Sequence, residues 1–468
     1  MTPWTVHQIL EATGGQLVRG NPDTRLNGIS IDSRRLIPGD AYLAIHGTKF
    51  DGHVFLDDAA HNGAACLIVA KLPTSTNGSS SLPMVLVDDT TQALGHLARY
   101  HRRRMGKPII AITGSCGKTT TKELIAHLIG EPWAVLKTTG TQNNHIGAPL
   151  TLLRLEPRHE FGIIELGSNH PGEIAYLADI VEPDVAVITN VGPVHLEFLG
   201  SLMGVLQEKL SLLDALRAEG TAVVPGDQLD VCLEAPQHLQ SGVRLVTFGA
   251  TERCDIQAAD VQRAEAGMAM RLRDDPRQWL IPMVGYHNVE NVLAAVACAW
   301  AMGVPLSATR DRLRTFEPVP LRSEIVRCDG LTILNDCYNA NPLSFARALE
   351  TLRNLETRRH VAIVGDMLEL GTYAPSAHQA IGRLASQLGI DAVIAVGEFA
   401  DDVALGAREV RPDSVMTCRT VPELLERLPG MLQHGDGLLV KGSRKLNLEQ
   451  VTDFLLQKYR GVHGELAQ

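Results

Sequence analysis

Short apolar runs alternate with longer amphipathic ones along most of this chain. From about residue 107, β-type runs at 108–113, 162–166 and 184–189 are separated by helix-compatible stretches such as 121–129. That alternation predicts a mainly parallel sheet covered on both faces, in a block running to Glu317-Pro318-Val319-Pro320. The proline-bounded segment is stiff and suits an interdomain hinge. After it the pattern restarts, with strands predicted at 331–335, 360–364, 391–396 and 437–441 and amphipathic helices at 423–428 and 451–456. A second, smaller doubly wound sheet follows from that. Ahead of the central block, β-type runs at 28–32, 41–45 and 64–70, completed by 84–87, predict a small α/β domain. The polar stretch 73–81 has no apolar face to bury and reads as a loop. The fold expected is α/β in three domains, at 1–82, 83–316 and 317–468, without tandem repeats.

Composition narrows the classes. A chain of 468 residues exceeds one ordinary core, and 45% hydrophobic with 21% charged residues describes a globular protein. The net charge of −10 argues against wrapping a nucleic acid, so any phosphate must be held locally by loops and single cations. Eight scattered cysteines without a Cys-x-x-Cys pair speak against a zinc module or a disulfide framework and fit a reducing cytoplasm. Met1-Thr2-Pro3-Trp4-Thr5 lacks the regions of a signal peptide, and no run is long enough to insert in a membrane.

In open α/β sheets ligands bind beyond the carboxyl ends of the strands. After 108–113 comes Thr113-Gly114-Ser115-Cys116-Gly117-Lys118-Thr119-Thr120, followed by a helix. Two glycines let backbone N–H groups close around phosphate oxygens at a helix N-terminus; Lys118 would reach the terminal phosphates and Thr119 a magnesium ion. Gly114 stands only three residues before Gly117, whereas the general phosphate-loop pattern wants glycine five before it. A plain glycine turn is the rival reading, and the position of Gly-Lys-Thr-Thr at the strand-to-helix junction favours the phosphate loop. Two more strands end at the same edge, in Glu165-Leu166-Gly167 and in Asn190-Val191-Gly192-Pro193-Val194-His195. Glu165 suits magnesium, although alone it reads equally as a solvated strand end. His195 alone is more often structural; its place on the productive edge argues for function. By composition Lys209 is an ordinary helical lysine. Asn143 and Asn144 read either as turn and cap residues or as amide donors toward an anion.

Taken together these residues resemble the ATP-dependent Mur ligases, over essentially the whole length. The resemblance rests on 113–120, Asn143-Asn144 with Gly147, 165–167, Thr189-Asn190-Val191 with His195, 285–291, 335–342 and Gly365-Asp366-Met367-Leu368-Glu369-Leu370-Gly371. It implies a small UDP-binding domain, a central phosphate-loop ATPase domain and a Rossmann-like C-terminal domain. It also implies ATP and two magnesium ions. Gly114 to Thr120 would hold the nucleotide, with Thr119 and Glu165 on magnesium, and His195 and a carbamylated Lys209 on the second ion. Asn291 would face the adenine, Asp336 the ribose and Arg322 the γ-phosphate. Ser30, Asp32, Ser33 and Arg34, with Thr48, Lys49 and Phe50, match a UDP-sugar pocket; Asn143 and Asn144 match a stretch contacting nucleotide and muramoyl substrate. Asn339 and Asn341 would face an incoming dipeptide.

The function implied is cytoplasmic synthesis of a peptidoglycan precursor by a monomer. UDP-N-acetylmuramoyl tripeptide and D-alanyl-D-alanine would be joined through an acyl phosphate, with Lys118, His195, Lys209 and Arg322 as catalytic residues. His287 and Asp366 are candidate bases, each equally readable as structural. Addition of the third stem amino acid is the nearest rival, and the Asp-Asn-Pro-Arg-type motif of that activity is missing; a non-catalytic nucleotide-binding scaffold is the rival from another class. Two positions depart from the family pattern: Leu321 stands for glycine before Arg322, and Leu210-Ser211 stands for Gly-Glu after Lys209.

Overall fold

Three sheets carry the architecture of the chain, seen here in a computed structural model that describes residues 3–47, 50–73, 81–130, 133–265 and 267–459. Thr48, Lys49 and residues 74–80 of the polar stretch lie outside the described residues. The first sheet has five strands in the order Gln16–Arg19, Met84–Leu86, Cys66–Val69, Ala41–Leu43, Ile29–Ser30. Its strands are parallel except for the antiparallel pair of Gln16–Arg19 with Met84–Leu86. The strand Met84–Leu86 thus belongs to the first sheet, past residue 82 where the first domain is expected to end.

The helix Thr90–Met105 leaves this sheet for the central one. Asp89 caps it by accepting the N–H groups of Thr91 and Gln92, and Gly106 ends it at φ 62°. Arg102 on this helix is buried, and its guanidinium donates to the carbonyls of Val181, Lys107 and Glu182 and to Asp184 Oδ2. A desolvated guanidinium is tolerable only when its donors are met in this way.

The central sheet has nine strands. Val135–Lys137, Phe161–Glu165, Ile109–Thr113, Val185–Ile188, Thr221–Pro225, Arg244–Gly249 and Ile256–Ala264 run parallel; Gly267–Leu272 and Asp275–Ile281 complete an antiparallel meander at one edge. Ile109–Thr113 lies between Phe161–Glu165 and Val185–Ile188 and is buried at all five positions. Side chains alternate between faces, as a strand requires. Ile110 and Ile112 join Leu124, Ile125 and Leu128 of the helix Lys118–Ile129, whereas Ile109 and Ala111 join Leu152, Leu177 and Ala178 on the opposite side. The core is therefore double, and the three strands that carry the candidate site are buried between its two halves.

The third sheet, smaller as expected, has six strands in the order Glu324–Cys328, Leu331–Asn335, Asp436–Lys441, Arg359–Gly365, Ala392–Val396, Val415–Cys418. Glu324–Cys328 is antiparallel to its neighbour; the other pairs are parallel.

Candidate functional site

A cleft of about 680 Å³ opens where the carboxyl edges of the central and C-terminal sheets meet. Its floor is the loop after Ile109–Thr113. Gly117 adopts φ 79°, a left-handed conformation, and a Cβ there would stand 2.1 Å from Asn291 Oδ1. Only glycine lets Asn291 close so tightly on the loop. The loop is tied to the next strand end: Cys116 N–H donates to Asn190 Oδ1 at 2.9 Å, and the Ser115 hydroxyl donates to the Gly192 carbonyl at 3.0 Å. These bonds hold the first turn of Lys118–Ile129, whose N–H groups have no helical partner and point toward any anion placed there. Lys118 Nζ donates to the Gly114 carbonyl at 2.7 Å. Burial lowers the Lys118 pKa, and the Glu165 carboxylate opposes that shift.

Glu165 is fully enclosed. Its Oε1 accepts from Asn143 Nδ2 at 2.8 Å, while Oε2 is buried without a hydrogen-bond partner. The nearest cation to Oε2 is the buried Lys122 at 3.6 Å, too far for a hydrogen bond. Lys122 Nζ is instead spent on the carbonyls of Thr138 and Gly140. A buried carboxylate oxygen without a hydrogen-bond partner, beside an anion cradle, fits a hard cation. Among the described residues no three His, Cys, Asp or Glu side chains form a ready-made metal cluster. The single Glu165 carboxylate beside the loop amides fits magnesium, which keeps one or two carboxylates and takes its remaining oxygens from phosphate and water.

The two asparagines divide the roles left open for them. Asn143 is the donor to the Glu165 carboxylate, whereas Asn144 Oδ1 accepts the N–H groups of Ile146 and Gly147 and starts the helix Gly147–Leu152. His195 sits in the left-handed region at φ 50°, and its Nδ1 pairs with Glu369 Oε2 at 2.7 Å from the C-terminal body. Lys209, on the helix Leu202–Asp214, does not line the cleft; it lies one layer behind and donates to Ser168 Oγ at 2.7 Å. It is buried, and burial, aided by the nearby Lys118 charge, lowers its pKa to about 7. The solvated lysine that composition alone suggests is thus an enclosed, half-neutral amine.

The C-terminal body supplies the opposite wall. Arg322 stacks over the Tyr338 ring at 4.1 Å, and the Tyr338 hydroxyl meets Thr141 Oγ1 at 2.6 Å across the cleft. Asp336 Oδ1 accepts Ser323 N–H and Oδ2 pairs with Lys441 at 2.6 Å, leaving lone pairs on both oxygens. Asn291 Nδ2 donates to Asn288 Oδ1. Asn339 also lines the cleft, and Asn341 caps the helix Pro342–Arg353 through Ser344 and touches Cys116 Sγ at 3.4 Å. His287 lies in the wall with a pKa lowered to about 4 by burial, so it is a neutral ring near pH 7. Asp366 lies outside the cleft, its oxygens accepting Glu398 and Phe399 N–H groups; its place is structural.

Ser115, Cys116, Gly117, Lys118, Thr119 and Thr120 are therefore brought together with Asn143, Asn144, Glu165, His195, Asn291, Arg322, Asp336, Asn339 and Asn341, while Gly114 does not line the cleft and meets the set through its carbonyl, which accepts from Lys118. The set near the N-terminus is not part of this cleft. There, Ser30 Oγ donates to the Asp32 carbonyl, Asp32 and Arg34 form a two-toothed ion pair at 2.9 Å, Asn62 donates to the Ser33 carbonyl, and Phe50 stands 75% exposed. Sequence reasoning missed Lys122, Ser168, Tyr338 and Lys441. Lys441 ends a predicted strand on the productive edge, so the strand-end rule that found Glu165 could have found it too.

Three family models match the chain: "Mur ligase family, catalytic domain" over 25–102, "Mur ligase middle domain" over 112–299 and "Mur ligase, glutamate ligase domain" over 321–444. A UDP-N-acetylmuramoyl-tripeptide–D-alanyl-D-alanine ligase of Bacillus subtilis (strain 168) is 33% identical over 459 residues, covering 97% of this chain and 98% of the relative. Among solved structures, MurF from Acinetobacter baumannii matches with a TM-score of 0.89 at 31% identity, over 98% of this chain and 99% of that one. MurF ligase from Thermotoga maritima, solved in complex with ADP, matches with a TM-score of 0.83 at 26% identity, over 92% of this chain and 98% of that one.

Proposed function

The chain belongs to the Mur ligase family, and on that premise we propose that it adds D-alanyl-D-alanine to UDP-N-acetylmuramoyl tripeptide at the expense of ATP. The observation that carries the reading is the single cleft in which the phosphate loop, the half-satisfied Glu165 carboxylate and the cations of a second body converge. The product is the UDP-N-acetylmuramoyl pentapeptide, with ADP and phosphate. The three sheets act as three domains, and the C-terminal one closes on the central one about residues 317–322.

The chemical difficulty is that a carboxylate, itself a poor electrophile, must attack another anion. The loop amides and Lys118 hold the triphosphate in line, and Arg322 adds charge from the opposite wall. Thr119 and Glu165 would hold one magnesium ion, and His195 with Lys209 the second. When bound, magnesium neutralises the phosphate oxygens and lets the two anions approach. Lys209 can act in this way only as a carbamate: its free amine takes up carbon dioxide, loses a proton and becomes a carboxylate-like ligand. The γ-phosphoryl moves to the tripeptide carboxylate as an acyl phosphate, and the dipeptide amine displaces phosphate from it. Because water would also attack that mixed anhydride, closure of the cleft precedes its formation. Asn291 and Asp336 orient the nucleoside, and Asn339 and Asn341 face the dipeptide. Ser30, Asp32, Ser33, Arg34 and Phe50 contact the UDP-sugar far from the reacting atoms.

The enzyme works in the cytoplasm as a monomer on small molecules. Among the described residues no helix is long and apolar enough to cross a membrane. ATP and magnesium supplied with UDP-muramoyl tripeptide or UDP-muramoyl dipeptide, each with either D-alanyl-D-alanine or single amino acids, give the test. Mass spectrometry should find the pentapeptide with D-alanyl-D-alanine alone; extension of UDP-muramoyl dipeptide by one amino acid would instead overturn the assignment.

A further inference from the structure

Glu369 is joined to His195 by a 2.7 Å contact between segments 174 residues apart, and nothing in the reaction outlined above uses it. Both residues hold left-handed backbone, at φ 50° for His195 and φ 61° for Glu369. For a side-chain-bearing residue that conformation costs about 1 kcal/mol or more, and paired outliers at a site point to a function that keeps them there. The turns around them are fitted to one another. A Cβ on Gly371 would lie 3.0 Å from Glu197 Cγ, Leu370 is buried, and Leu368 N–H is held by Ser443 Oγ. On the other side, the His195 carbonyl accepts the N–H groups of Phe198 and Leu199 and fixes the start of the helix Leu196–Leu199.

Two readings of the pair compete. As a plain ion pair it is weak, because its side chains are 23% and 46% exposed and such pairs contribute about 0–1 kcal/mol. As an orienting contact it does more. A carboxylate that accepts a hydrogen bond from the Nδ1–H of a neutral imidazole keeps the proton on Nδ1, leaves the lone pair on Nε2 and stops the ring from turning. His195 Nε2 has no protein partner among the described residues, and the cleft it borders contains the unmatched Glu165 oxygen.

Resting on the two-ion reading above, we propose that Glu369 is a positioning residue that presents His195 Nε2 to the second magnesium ion. Because Glu369 belongs to the C-terminal body, that ligand is set in place only when the two bodies are apposed. Metal capture at His195 and closure of the cleft are then one event, and ATP cannot be committed while the site is open to water.

The test counts Mn²⁺ by electron paramagnetic resonance in the full chain with a non-hydrolysable ATP analogue and UDP-muramoyl tripeptide. The parent should bind two ions. Glu369→Ala should keep the first with unchanged affinity and weaken the second by about 10- to 100-fold, the range for losing a carboxylate behind a metal-bound histidine. Glu369→Gln, which still accepts the Nδ1 proton, should fall between them. The Mg²⁺ concentration for half-maximal activity should rise in the same order while KM for ATP stays within about twofold. Equal affinity for the second ion in all three proteins overturns the proposal. A parent that binds a single ion overturns the two-ion reading and the proposal with it, a distinct outcome.

Discussion

Lys209 gives the sharpest expectation. Its pKa near 7 in the folded chain, against 10.5 for an ordinary lysine, makes it a different reagent from any solvated lysine. At pH 8 about 90% of such a group is free amine, against roughly 0.3% of an ordinary one, a gain of about 300-fold in the species that can attack carbon dioxide. At pH 6 the free fraction falls to about 9%. Protein mixed with ¹³C-labelled carbon dioxide should therefore develop one carbamate resonance, whose initial rate of appearance rises about tenfold between pH 6 and pH 8 at fixed dissolved carbon dioxide. Lys209→Arg should abolish it together with product formation. A carbamate signal that survives in Lys209→Arg, or one whose rate of appearance has its midpoint near 10, refutes the reasoning.

The same shift bears on stability. The unfolded chain keeps the Lys209 proton up to about 10.5 and the folded chain only to about 7, so the unfolded state binds more protons between those limits. Stability attributable to this group therefore rises with pH across that window, by at most about 1.4 kcal/mol per pH unit. Below pH 7 both states carry the proton and the full penalty of holding an ammonium in the interior is present, of order 5 kcal/mol. Lys209→Met should accordingly be more stable than the parent in urea at pH 6, with the gap closing toward pH 10. A gap independent of pH would show that the lysine is not strained by burial.

The other expectations are simpler. Lys118→Ala should abolish precursor-dependent ADP release while leaving the unfolding midpoint nearly unchanged; persistence of that release removes the lysine from the phosphate site. Gly117→Ala places a methyl 2.1 Å from Asn291 Oδ1 in a left-handed conformation. It should weaken a fluorescent ATP analogue at least tenfold, and unaltered binding would mean that the loop is not the cradle. Lys122→Met removes the donor to the Thr138 and Gly140 carbonyls and strands Glu165, costing about 3 kcal/mol in urea unfolding. A loss below about 1 kcal/mol would mean that water replaces the ammonium there.

The strands that carry chemistry were legible because they are buried on both faces, and such strands read as unbroken apolar runs. The prediction of 108–113 meets a strand at Ile109–Thr113, and 437–441 meets Asp436–Lys441. The meander over 256–281 was not legible. Gln257, Asp260, Gln262, Arg263, Arg271 and Arg273 interrupt it, because antiparallel strands at an edge can turn one face to solvent. The strand Glu324–Cys328 escaped for the same reason, with partly exposed positions along most of its length.

For the site, legibility depended on whether a residue's meaning is local. Gly117 and Lys118 are read from a strand, a turn and a helix adjacent in the chain. Lys122 is not, because its burial and its place beside Glu165 arise only when two strands pair in register. Leu321 shows a third case. Leucine in place of the family's glycine suggests a different turn, yet the residue adopts φ 62°, the conformation glycine favours. Its N–H is held by Glu324 Oε2, and its carbonyl accepts Tyr338 N–H, the same tyrosine that supports Arg322. The turn is thus dictated by what it must position rather than by its own propensity. A strain of about 1 kcal/mol, small beside the stability of a packed domain, lets a poor turn residue persist where the arginine beyond it has one place to be.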